Sequence, residues 1–155
     1  MDSRTSAELI AGIARKAAFF EQEAELDRFL EEAMSLLARH TGMETAAIYL
    51  YDHETDDLNR HASTGPEAEV SENELRRIIS LSQIARSRED ERTIVVVPIR
   101  RGPVPMGALV LADTSSEHPP VDDGSLQVVA SQLAATIESS SLLLEARLPH
   151  GLRAE

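Results

Sequence analysis

Two short stretches carry the spacing of chemical sites, and both fall short of them. Gly102 to Gly107, GPVPMG, has the glycine separation of a phosphate-cradling loop. Ala108 and Leu109, however, stand where a Lys and a Ser or Thr would be needed, and Pro103 and Pro105 remove backbone donors from the cradle. The stretch reads as a turn. The run HETDD from His53 begins like a zinc-protease helix, but Asp57 replaces the second histidine, which leaves one imidazole for the metal. With His61 it forms either a hydrated divalent site or a solvated loop, and no metal is expected. The five histidines are scattered singly and no G-x-S-x-G elbow exists, so Ser/His/Asp catalysis has no local support. No catalytic residue is assigned, and the expectation is a protein that is not an enzyme.

Three residues are candidates for lining a ligand pocket. Tyr49 and Tyr51 alternate with Ile48 and Leu50 in METAAIYLYD, so in a strand the two rings share one face. A buried phenol needs a hydrogen-bond partner, which favours the mixed-polarity wall of a pocket, with His61 from the next strand beside it. The alternative is two tyrosines at the edge of a core with their hydroxyls in water. Arg76, Arg77, Arg86, Arg88 and Arg92 form a second group that suits an anionic ligand, the acidic surface of a partner, or pairing with the chain's own carboxylates.

Composition narrows the setting of these residues. A chain of 155 residues suits one domain that buries roughly two thirds of its unfolded surface. It has no cysteine, which rules out disulfides, thiolate metal sites and any cofactor attached through sulfur, a bilin included, and suits a reducing compartment. No apolar run approaches the roughly 18 to 20 residues of a membrane span, and MDSRTSAELIAG lacks the basic-then-apolar order of a signal peptide. A cytoplasmic protein with no membrane partner is expected. The net charge of -12 is concentrated in residues 21–74, which carry fifteen acidic and three basic residues. Such a field repels phosphate backbones, and five aromatic residues offer few stacking platforms, so nucleic acid is not expected as a partner. Fourteen Arg against one Lys goes with a bacterial source of GC-rich genome, by association only.

The elements that must position the candidates follow from periodicity. Ala7 to His40 has helical spacing, with Thr5 and Glu8 as a capping box, a break near Glu21 to Glu25, and Gly42 as the stop. Ala46 to Tyr51 is apolar throughout, as in a strand buried on both faces, and LNRHASTG reads as a second strand. Glu72 to Arg88 reads as a helix capped by Ser71. Thr93 to Asp113, TIVVVPIRRGPVPMGALVLAD, is a hairpin of two continuously apolar strands around a basic, proline-rich turn. A last helix starts at Asp122 or Asp123, and its residues Leu126, Ala130, Leu133, Ile137 and Leu144 follow a heptad rhythm, which marks them as candidates for a homodimer seam. Packing on the domain's own sheet is the other account of that rhythm.

The order helix, strand, strand, helix, strand, strand, helix, together with LDRFLEEAMSLLARHTGMETAAIYLYD, the hairpin, and DDGSLQVVASQLAATIESSSLLLEA, resembles GAF domains, the sensory modules of signalling proteins. The resemblance covers 24–146, with an N-terminal helical extension at 1–23 and a tail at 147–155. It implies an α+β fold, a PAS/profilin-like antiparallel sheet with the N- and C-terminal helices on one face and a crossing helix over a ligand pocket on the other. It also implies a signalling domain that senses a small molecule or a protein partner and dimerises through its terminal helices. A ligand-free docking module with a degenerate pocket is the alternative. Only 27 residues, 66–92, separate the second strand from the hairpin, where ligand-binding members carry more chain. The bilin cysteine, the cysteines of the methionine-sulfoxide-reducing members and the Asn-Lys-Phe-Asp-Glu pattern of cyclic-nucleotide binders are missing, so the cofactor is left open.

Overall fold

In the computed structural model, which describes residues 3–17, 23–52, 54–68, 70–89, 91–114 and 122–147, five antiparallel strands form one sheet in the order β2-β1-β5-β4-β3. The helical N-terminal pattern divides into α1 (Ser3–Ala17) and α2 (Glu23–Thr41), and residues 18–22 between them lie outside the description. Thr5 falls inside α1 rather than at its cap. Gly42 ends α2 as expected: at φ 74 it adopts the left-handed conformation that glycine tolerates, and its N–H reaches the Ala38 carbonyl at 2.9 Å. The strands are β1 (Thr45–Asp52), β2 (Asp57–Thr64), β3 (Ala85–Glu89), β4 (Arg92–Arg101) and β5 (Val104–Asp113); α3 (Glu72–Leu81) crosses between β2 and β3, and α4 (Asp123–Arg147) closes the chain.

Both sheet faces are covered, which accounts for the continuous apolar runs. On one face Ile48, Leu50, Val95, Val97, Ile99, Leu109 and Leu111 pack against α1, α2 and α4, with Leu9, Leu30, Met34, Leu126 and Leu133 fully buried. On the other, Ile94, Val96, Ala108 and Val110 pack against Leu75, Ile78 and Ile79 of α3. Terminal helices on one side and a crossing helix on the other is the arrangement that the family resemblance implied. The β4–β5 hairpin pairs Val96 with Val110 and Ile99 with Gly107. Gly107 is required by a close approach: a Cβ there would overlap the Tyr49 carbonyl oxygen of β1.

The helix expected over Glu72 to Arg88 is shorter than that. Its start holds, with Ser71 accepting a hydrogen bond from the Glu74 N–H at 3.1 Å. It stops at Leu81 because Ser82 turns left-handed, at φ 56, and gives its N–H to the Ile79 carbonyl. The next residues, ARSRE, are an edge strand in which Ala85 packs inward. The arginines of that strand protect an otherwise open edge from pairing with other chains.

Candidate functional site

The concave surface most suited to a ligand lies where α3 meets the β3–β4 edge. Val70, Ile78, Ala85, Ile94 and Val96 form its apolar floor, and the cleft has a volume of about 430 Å³. Glu74, Arg77 and Arg86 stand at its rim, with the Ser71 and Ser87 positions between them. Each element has a definite part here: the Ser71 cap fixes the first turn of α3, the left-handed Ser82 ends it, and β3 returns beside β4 to form the far wall. Arg77 is held by Glu74 at 2.6 Å, which keeps the Glu74 carboxyl below its ordinary pKa chiefly through that hydrogen bond. Arg86 pairs with Asp123, the first residue of α4, at 2.5 Å. One side chain therefore joins the cleft rim to the C-terminal helix.

The expected pocket residues are only partly brought together. Tyr49 and Tyr51 do face the α3 side of the sheet, both partly buried against its core. They stand at the opposite flank of α3 from the cleft, where Arg76 lies 5.2 Å from the centroid of the Tyr51 ring. Burial pushes the Tyr49 phenol up, opposed by the nearby Arg60 charge. His61 does not join them. The β1–β2 register slips between Ile48 and Tyr49, so Tyr49 faces Arg60, Ile48 faces Ala62, and His61 is the extra residue of a bulge. Its Nδ1 lies 3.8 Å from Asp27 of α2, on the side of the sheet opposite α3.

Four of the five arginines of that group are taken up within the chain. Arg76 pairs with Glu72 and Asp56, Arg77 with Glu74, Arg86 with Asp123, and Arg92 donates to the Glu67 carbonyl. Most of these acceptors belong to the acidic segment, so the pairing reading of that group describes them. The HETDD loop is a turn closed by the Asp56 N–H on the Asp52 carbonyl at 2.7 Å, and His53 lies outside the described residues. Among the described residues no three His, Asp or Glu side chains gather as a metal site.

The heptad positions of α4 also need correction as a seam. Leu126, Ala130, Leu133 and Ile137 are buried in the chain's own core, and Leu144 lies beyond the side chains described. The outward face of α4 carries Val128, Ala135 and Ser139 instead. Residues 124 to 137 contain no charge at all, in a chain that is 27% charged.

A family model described as GAF domain matches residues 25–139. The chain belongs to the GAF domain family. Among solved structures, this GAF domain is similar to a free methionine-R-sulfoxide reductase from Neisseria meningitidis solved with its substrate, with a TM-score of 0.74 at 16% identity over 92% of this chain and 95% of that one. It is similar to the GAF domain of a phosphoenolpyruvate-protein phosphotransferase from Coxiella burnetii, with a TM-score of 0.72 at 12% identity over 92% and 98%. The corresponding domain from Acinetobacter gives a TM-score of 0.70 at 13% identity over 92% and 98%. At such identities the likeness establishes the fold. No curated protein matches the sequence. Among the described residues no helix is long and apolar enough to cross a membrane.

Proposed function

We propose that this GAF domain is a non-enzymatic signalling module of the cytoplasm that binds a small molecule in the cleft between α3, β3 and β4, and reports its occupancy through α4 to a homodimer contact. The observation that carries this reading is the Arg86–Asp123 pair, which links the cleft rim to the first residue of α4. A signal requires contacts that differ between two states. An exposed ion pair is worth on the order of 1 kcal/mol or less, so an anionic group of a ligand can take Arg86 away from Asp123 at small cost. The start of α4 is then held differently with and without ligand. The chain contains no cysteine, so the thiol chemistry of the family's reductase members has no nucleophile here.

Dimerisation is proposed through the outward face of α4. The stretch 124–137 sets no charge on the outward face of α4, and Val128 at 48% exposure is one of the large apolar side chains left open there. Native mass spectrometry of the chain purified from a bacterial host tests both parts. The expected result is a dimer carrying extra mass that denaturation releases, with the extra mass lost in R86Q. A dimer with nothing bound supports the alternative, a docking module whose cleft has lost its ligand. A monomer overturns the interface.

A further inference from the structure

We infer that a second recess, bounded by β4, α4 and the α3–β3 connection, binds a small monocarboxylate through Arg100. It is separate from the cleft described above and does not rest on the function proposed for that cleft. β3 pairs with β4 only as far as Val96, opposite Ala85, so the strand from Val97 to Arg100 borders an open edge of the sheet. α4 runs beside this edge and the Ser82–Ile84 connection closes the third side, leaving a recess of about 240 Å³.

The chemistry of the lining is asymmetric. Arg100 is its one charged residue, and Ser82, Gln127 and Ser131 supply uncharged polar groups. The Arg100 Nη2 donates to the Pro103 carbonyl at 2.6 Å, which fixes the plane of the guanidinium. Its Nε is buried and has no hydrogen-bond partner. The neighbouring Arg101 takes the carboxylate of Glu138 on α4, and among the described residues no carboxylate pairs with Arg100. A buried donor without an acceptor is costly, and a carboxylate offers the two-oxygen acceptor that matches the guanidinium edge. The hydroxyls and the amide can serve the remaining lone pairs, while Val97, Pro98 and Ala130 receive a short aliphatic body.

Size and charge narrow the ligand class. The recess is smaller than the roughly 300 Å³ at which drug-sized pockets begin, and a single guanidinium neutralises one negative charge, not the two of a phosphate. A ligand there would bridge β4 to α4 at Gln127 and Ser131, and so bear on the same helix from another side.

The test is an amide NMR titration of the full chain with sodium isobutyrate, its neutral isostere isobutyramide, and inorganic phosphate at matched ionic strength. Isobutyrate is expected to produce saturable shifts at Val97, Gln127 and Ser131 with a Kd on the order of 1 mM. Isobutyramide should produce none, and phosphate should bind more weakly than isobutyrate. In R100Q, a change at a partly exposed position near the end of β4, the affinity should fall about tenfold. S131L, which crowds the recess from the exposed side of α4 and keeps Arg100, should abolish the shifts. Equal shifts from acid and amide, wild-type affinity in R100Q, preference for phosphate, or isobutyrate shifts confined to the Arg77 side of α3 would each overturn the assignment.

Discussion

The Arg76 guanidinium stands 5.2 Å from the centroid of the Tyr51 ring, and the same side chain donates to the Asp56 carbonyl at 2.5 Å. One arginine thus clips α3 to the turn between β1 and β2, and covers the tyrosine that the sequence offered as a pocket wall. Y51L and R76Q should each lower the Tm, and the double variant should lose less than the sum of the two, because both remove the same contact. Additive losses by thermal denaturation would show that the ring and the cation act separately.

Val96 is 2% exposed, facing α3, with Val110 opposite it in the hairpin. Val96→Asp buries a carboxylate with no partner, a change that costs several kcal/mol, a large share of a domain's total stability. The cooperative melting transition followed by circular dichroism should disappear or fall far below that of the wild type. A Tm within a few degrees of it would contradict the two-sided burial of β4.

Gly107→Ala tests the close approach of β5 to β1. The added methyl meets backbone rather than a yielding side chain, so the strands must separate at Tyr49 and Leu50. A loss of about 3 kcal/mol is expected in denaturant unfolding, at the upper end for single substitutions. A loss below about 1 kcal/mol would mean that the hairpin can shift freely.

Acid should loosen the start of α4. Asp122 accepts hydrogen bonds from the Ser125 N–H at 2.7 Å and the Ser125 hydroxyl at 2.8 Å, the backbone bond being the larger cause of its lowered pKa. A carboxyl lowered in the folded state contributes stability that is present above its unfolded value of 3.8 and is lost as pH falls through the folded one. The Tm difference between the wild type and D122N should therefore be constant near neutrality and shrink below about pH 4. A difference that stays the same to pH 2 would assign the cap to the neutral side chain.

How far these features were legible in the sequence depends on whether the signal was local. Ala46 to Tyr51 and the two arms of the hairpin announce doubly covered strands by unbroken apolar runs, and the caps at Ser71 and Gly42 are set by residues within a turn of them. β3 was hidden because ARSRE has one apolar residue, which also fits the helix before it, and nothing in the sequence marks a left-handed serine at 82. His61 was misplaced because a bulge shifts side-chain parity by one residue, a pairing property that neither strand shows alone. Arg100 and Arg101 look equivalent in the sequence. Only the position of α4 gives Glu138 to one and leaves the other without a carboxylate among the described residues.

The heptad spacing of α4 was ambiguous for a related reason: it marks a buried stripe without saying what buries it. Ile137, at 8% exposure, packs into its own chain, so Ile137→Glu should unfold the protein rather than release a folded monomer. The informative variants are Val128→Glu and Ala135→Glu, about two turns apart on the outward face, where a carboxylate stays in water within one copy. If two copies meet through that face, each variant places like charges opposite each other or buries them unpaired, and light scattering should report a monomer with a nearly unchanged Tm. Dimer mass retained in both variants would exclude α4 as the interface. A dimer retained in Ala135→Glu but lost in Val128→Glu would place the contact near the start of the helix, next to Asp123 and the ion pair that reaches the cleft.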